Sequence, residues 1–140
     1  MPMFNWDDFR TLAKRLAASD DEDSLRSSIS RSYYAAYHTA EEFCRDFRVP
    51  TPPPAIGAAN KKDTQHSRVI SALENHPNAR IQKSGRLLAE LRKWRHRADY
   101  QSNLEGDLRD IVRMAIAAAD AIIDAFDAFY RGTRVYDAPE

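Results

Sequence analysis

The sequence predicts an all-α protein, an up-and-down bundle of four to five helices in a single domain. Three observations carry that prediction: apolar residues recur at helical spacing along most of the 140 residues, no segment alternates with the two-residue period of a strand, and only four glycines break the chain. No Gly-rich phosphate loop and no strand–helix alternation points to an α/β class. With 43% hydrophobic and 30% charged residues, the composition is that of a chain that buries a core.

Each element follows from its own pattern. Phe9, Leu12, Ala13 and Leu16 make one face of a first helix, capped at Asn5 and ending before the acidic "SDDED". A second helix starts near Ser24. Its stripe runs through Ile29, Tyr33, Ala36, Ala40, Phe43 and Phe47, and Pro50 stops it. "VPTPPPAIGAANKK" carries four prolines and a glycine, which predicts a Pro-rich loop at about 50–62. Asp63 or Thr64 opens a third helix through Val69, Ile70 and Leu73, and "NHP" ends it. The fourth is anchored by Leu87, Leu91, Trp94 and Ala98 and ends near Tyr100. Ser102 and Glu105 form a capping box for the fifth, which continues from Leu108 to Tyr130 and stops at Gly132.

Charge and cysteine content narrow the function classes. Twenty-one basic residues balance twenty-one acidic ones, so no global field draws the chain to nucleic acid or lipid, and targeting by charge needs a local patch. The single cysteine, Cys44, has no partner for a disulfide, and no Cys/His cluster has zinc-ligand spacing. No metal and no cofactor are expected. The N-terminus lacks the features of a secretory signal, and the most apolar run, "MAIAAADAIIDAF", is broken by Asp120 and Asp124, so a cytoplasmic protein with no membrane association is expected.

Two stretches hold the candidate chemistry. In "SRSYYAAYH", Arg31, Tyr34 and His38 are three and four residues apart, on a face nearly opposite the Ile29–Phe47 stripe. Tyr33 belongs to the core and Tyr37 to a flank. The Arg31 face is either ordinary solvated surface or an interface centre, where Tyr and Arg are enriched. In "LRKWRHRADY", Arg92, Lys93, Arg95 and Arg97 surround Trp94, which belongs to the core stripe, while His96 points away from it. The cations are either the wet face of a helix or a patch that contacts phosphates, and Arg95 and Asp99, four apart, make an exposed ion pair.

Read together, "LRSSISRSYYAAYHTAEEF", "QHSRVISAL" with His66, and "LLAELRKWRHRADY" resemble the HEPN family, small helical bundles of prokaryotic toxin–antitoxin and defence systems, in a branch with an Arg…Ala-Asp-Tyr ending. The resemblance spans nearly the whole chain. It implies a homodimer that brings an Arg-x(4–6)-His motif into a cleft for metal-independent RNA cleavage. Here only Arg31 and His38 have that gap, on the second helix rather than the fourth, and Tyr100 stands where the motif's histidine would follow Arg95. Cleavage without metal needs a base, a cation for the phosphorane and an acid. His38, Arg31 or Arg95, and Tyr34 or Tyr100 fill those roles, with Tyr34, His66, Arg92 and Asp99 as substrate-binding residues. Arg31, His38, Arg95, Asp99 and Tyr100 are expected to converge on one cleft, and the Tyr34 face to mediate self-association. RNA or a nucleotide is the expected ligand. The alternatives are a non-catalytic dimerisation adaptor, or a protein adenylylated on Tyr100 by a partner nucleotidyltransferase, as the resemblance also implies.

Overall fold

A computed structural model of the chain describes residues 4–52, 61–104 and 107–137. Among them are five helices and no strand: α1 (Asp7–Ala17), α2 (Glu22–Asp46), α3 (Lys61–Glu74), α4 (Ala79–Tyr100) and α5 (Leu108–Asp137). None of these helices is long and apolar enough to cross a membrane. Of the Pro-rich segment, residues 53–60 lie outside the described residues, and 61–62 belong to α3.

Helix ends are set by side chains that satisfy orphan backbone groups. Asn5 Oδ1 accepts from the Asp7 N–H at 3.0 Å, as its place before α1 predicts. The α2 cap is Asp21, which accepts from the Asp23 N–H at 3.3 Å, so the helix starts two residues ahead of Ser24. Its end needs no proline. The Val49 N–H reaches the Cys44 carbonyl at 2.8 Å and the Arg48 N–H reaches that of Arg45 at 3.3 Å, a Schellman turn that places Arg48 at φ 51°. Asn78 caps α4 with two bonds, from Arg80 and Ile81 at 2.9 and 3.2 Å. For α5 the capping residue is Asp107, which takes the Arg109 N–H at 2.9 Å, so the helix begins after the Ser102–Glu105 pair, whose glutamate lies outside the described residues. Gly132 does not stop α5, which continues through it to Asp137. A lone glycine lacks the hydrogen-bonding or steric means to end a helix that has no other breaker.

The core is organised around α2, which touches all four other helices. Ile29, Tyr33, Ala36, Ala40 and Phe43 are fully buried on the predicted stripe, against Ala115, Ala119, Ile122 and Phe126 of α5 and Leu88 and Leu91 of α4. Trp6, Phe9 and Ala13 meet His38, Arg31 and Ser28 in reversed order, so α1 and α2 are antiparallel. Arg92 against Ser67 and Gly85 against Glu74 make α3 and α4 antiparallel as well. Arg26 and Tyr33 face the last turns of α4 while Phe43 lies near His76 ahead of it, so α2 runs opposite to α4 and in the same sense as α3.

In α4 the stripe differs from expectation. Ile81, Ser84, Gly85, Leu88, Leu91, Arg95 and Ala98 are buried, while Leu87 and Trp94 are half-buried at its edge. A guanidinium thus occupies the core position between Leu91 and Ala98. Gly85 is needed for the α3–α4 approach, because a Cβ there would sit 2.8 Å from the Glu74 backbone nitrogen, whereas a Cβ on Gly132 would meet nothing within 4 Å.

These environments predict opposite outcomes for one chemical change. Gly85→Ala should cost about 1–3 kcal/mol through overpacking, while Gly132→Ala should stabilise by about 0.5–1 kcal/mol in an open helical position. Arg48→Gly should add a further gain of about 0.5–1 kcal/mol by relieving the left-handed backbone. Urea titration measures all three.

Candidate functional site

The tyrosine-rich turn of α2 builds the centre of the site. Tyr33 and Tyr37, four residues apart, stack with centroids 5.9 Å apart, and His66 of α3 lies against Tyr37 at 4.0 Å. The Tyr33 hydroxyl and His66 Nδ1 share a 2.6 Å hydrogen bond. Tyr37 is not on a flank but buried, and its phenol is pushed far above the ordinary value by that burial and then by the charge of Glu41, so it stays protonated.

From α4, Arg95 extends over this cluster. Its Cζ lies 5.2 Å from the Tyr33 ring centre and 5.6 Å from that of Tyr34. Nη1 is 3.6 Å from Asp99, and Nε is buried with no hydrogen-bond partner among the described residues. Arg95 is only 8% exposed, so the expected exposed ion pair is instead a buried cation on an aromatic floor with one carboxylate at its edge. The reason is the register of α4, which carries 95 into the stripe with 88, 91 and 98.

The Arg31–Tyr34–His38 face is likewise not free. The Arg31 guanidinium covers Phe9 at 4.8 Å, and His38 is stacked on Trp6 at 3.7 Å with Nδ1 3.4 Å from Glu41. Tyr34 is half-buried between them and Arg95. Trp6, just ahead of α1, and Phe9 within it pack against each other at 5.5 Å and cover this side of α2 through His38 and Arg31. The face expected to drive self-association is thus largely taken up within the chain.

Of the residues expected in one cleft, Arg31 and Asp99 line a depression of about 380 Å³ and Arg95 adjoins it through Asp99. His38 lies beyond Tyr34, 5.9 Å away between ring centres. Tyr100 is apart from all of them, 70% exposed, with its ring 4.9 Å from that of His96. Neither this depression nor the grooves between α3 and α4 and between α1, α2 and α5 bring His38, an arginine and Tyr34 or Tyr100 together among the described residues.

A larger groove, about 800 Å³, opens between α3 and α4. Ser67, Ile70 and Glu74 form one wall, Ala89, Arg92, Lys93, His96 and Arg97 the other, and Arg95 reaches it from the core. Arg92 Nη1 donates to Ser67 Oγ at 3.0 Å. Four cations and one carboxylate line the groove, with Lys93 also 3.3 Å from Glu90 and Arg95 3.6 Å from Asp99. A groove of about 570 Å³ between α1, α2 and α5 has the opposite character, with Asp7, Glu42, Asp46 and Asp127 against Arg10 and Arg131. The balanced net charge hides this segregation.

Sequence reasoning placed Arg92, Lys93, Arg95 and Arg97 in a candidate phosphate patch but did not assign Ser67 or His96 to the site, and His66, named as substrate-binding, does not line this groove. The "RKWRH" run was the available signal for the α4 members, whereas Ser67 is identified only by its partner across the groove. Arg26 was also missed. It donates to the carbonyls of Ala98, Gln101 and Ser102 at 2.9, 2.6 and 3.1 Å, closing the C-terminus of α4 from a helix more than seventy residues earlier.

Burial changes what Arg95 variants should do. Arg95→Ala should destabilise by about 2–4 kcal/mol, because it leaves a cavity above the tyrosines, whereas Arg95→Met, of similar length and with no buried polar atom, should stay within about 1 kcal/mol of the parent. Equilibrium urea unfolding distinguishes the two.

No family model, no curated protein and no solved structure matches the chain.

Proposed function

We propose that this protein is an RNA-binding helical bundle of HEPN-like kind, holding RNA phosphates in the α3/α4 groove as the RNA-directed component of a prokaryotic toxin–antitoxin or defence pair. The carrying observation is Arg95, a cation nine-tenths buried with an unpartnered Nε, in a groove that also presents Arg92, Lys93 and Arg97. Burying a guanidinium costs folding free energy that one carboxylate at 3.6 Å offsets only in part. A phosphate in the groove supplies the further negative charge that the guanidinium lacks. The choice of RNA among phosphate ligands rests on the likeness of the α2 and α4 stretches to HEPN proteins.

The geometry favours binding over cleavage. His38, the expected base, is stacked on Trp6 and lies outside the groove, and Tyr37 holds its proton far above neutral pH. The histidine that lines the groove is His96.

The exposure of Tyr100 favours a second reading, in which it is the acceptor of an AMP group from a partner nucleotidyltransferase. That reading requires an AMP adduct on the Tyr100 peptide, absent from Tyr100→Phe, by mass spectrometry.

The first reading is tested by titrating an unstructured labelled RNA across a range of salt. Binding should weaken with a log–log slope of roughly −2 to −3 for three to four phosphate contacts on a single strand. Arg92→Ala or Lys93→Ala should reduce the slope by about 0.7, and His38→Ala should leave it unchanged. Absence of binding at low salt, or binding indifferent to salt, overturns the proposal.

A further inference from the structure

Arg92, His96 and Tyr100 are spaced four and four along α4, so they form one row on its surface. Arg92 and His96 line the basic groove, and Tyr100 continues the row one turn, about 6 Å, past its end. At 70% exposed it is the most open of the exposed large hydrophobic residues in the described chain, and its ring leans on His96 at 43°. Its backbone is anchored, because Arg26 holds the carbonyls on either side of it, those of Ala98 and Gln101.

From this we infer that Tyr100, backed by His96, is a stacking platform for an unpaired base, so that the groove takes single-stranded rather than duplex RNA. The inference rests on the phosphate-binding reading of the groove and adds to it what the bases do. An aromatic face beside a row of cations is the arrangement by which proteins hold a single strand without reading its sequence: the cations follow the backbone and the ring takes a base face. Bases within a duplex are already stacked on one another and present only their edges, so a ring at the helix surface gains nothing from them. The platform therefore discriminates strand state, with little preference for base identity.

The test uses the full chain and three labelled ligands of equal length: an unstructured RNA, a hairpin of the same composition, and an abasic ribose-phosphate strand. The parent should bind the unstructured RNA most tightly, and Tyr100→Ala should lose about tenfold to a hundredfold on it while binding the abasic strand as the parent does. Tyr100→Phe, which keeps the ring and removes the hydroxyl, should bind like the parent. Thermal unfolding should be unchanged in both variants. If the parent binds the abasic strand as tightly as the RNA, or Tyr100→Ala binds RNA normally, the platform is wrong and the phosphate groove stands. A parent that binds none of the three ligands overturns both readings. A parent dimer that Tyr100→Ala makes monomeric, with RNA affinity intact, assigns the ring to a protein contact and overturns the inference.

Discussion

Arg95 sits where a bundle would ordinarily place a leucine, and much of the molecule is arranged around that substitution of charge for hydrocarbon. Its guanidinium faces Tyr33 and Tyr34, so at this level α4 meets α2 through flat aromatic rings, while Leu88 and Leu91 join the aliphatic core below. Tyr33 in turn fixes α3 through His66, which is held by the hydrogen bond to the hydroxyl and by stacking on Tyr37. One buried cation thereby links three helices. Its cost is offset by ring quadrupoles and one carboxylate, and its Nε stays buried without a hydrogen-bond partner among the described residues.

The chain combines a zero net charge with two grooves of opposite character. Acidic side chains collect along α1, α2 and α5, where Arg10 is held by Asp7 at 2.8 Å and Tyr130 donates to Asp46 at 2.6 Å. That groove supplies its own counter-charges. In the α3/α4 groove Glu74 is the one acidic residue among the lining side chains, and the partners of Lys93 and Arg95, Glu90 at 3.3 Å and Asp99 at 3.6 Å, lie outside that lining.

The helices were legible because their burial is periodic, and periodicity is local information. The α2 stripe from Ile29 to Phe43 and the α5 stripe from Ile111 to Phe126 are buried as the spacing predicts. In α4, Leu91 and Ala98 are buried as the spacing predicts, but Leu88 and Arg95 fill the core positions that spacing gives to Leu87 and Trp94, because Arg95 looks polar on paper. Caps were only partly readable: Asn5 was identified, but Asp21 and Asp107 competed with nearby residues of equal capping ability. At the site, the basic run of α4 was visible in sequence. Its division into a buried Arg95 and groove-lining Arg92 and Lys93 depends on which helices lie beside it. The same holds for the Arg31–His38 face, which α1 covers with Phe9 and Trp6 through contacts that no spacing rule encodes.

The Arg26 clamp on the end of α4 has a consequence for how this molecule moves. Last turns of helices ordinarily fray, since their carbonyls have only water to bond to. Here the Ala98 carbonyl of the last turn, and those of Gln101 and Ser102 just past it, are held by a side chain rooted in α2, the most buried helix of the bundle. The final turn of α4 is thereby tied to the core's own opening equilibrium and should loosen only when the α2–α4 contact does. An exposed side chain on a rigid pedestal has already surrendered its backbone entropy during folding, so whatever settles on it pays for little more than its own immobilisation.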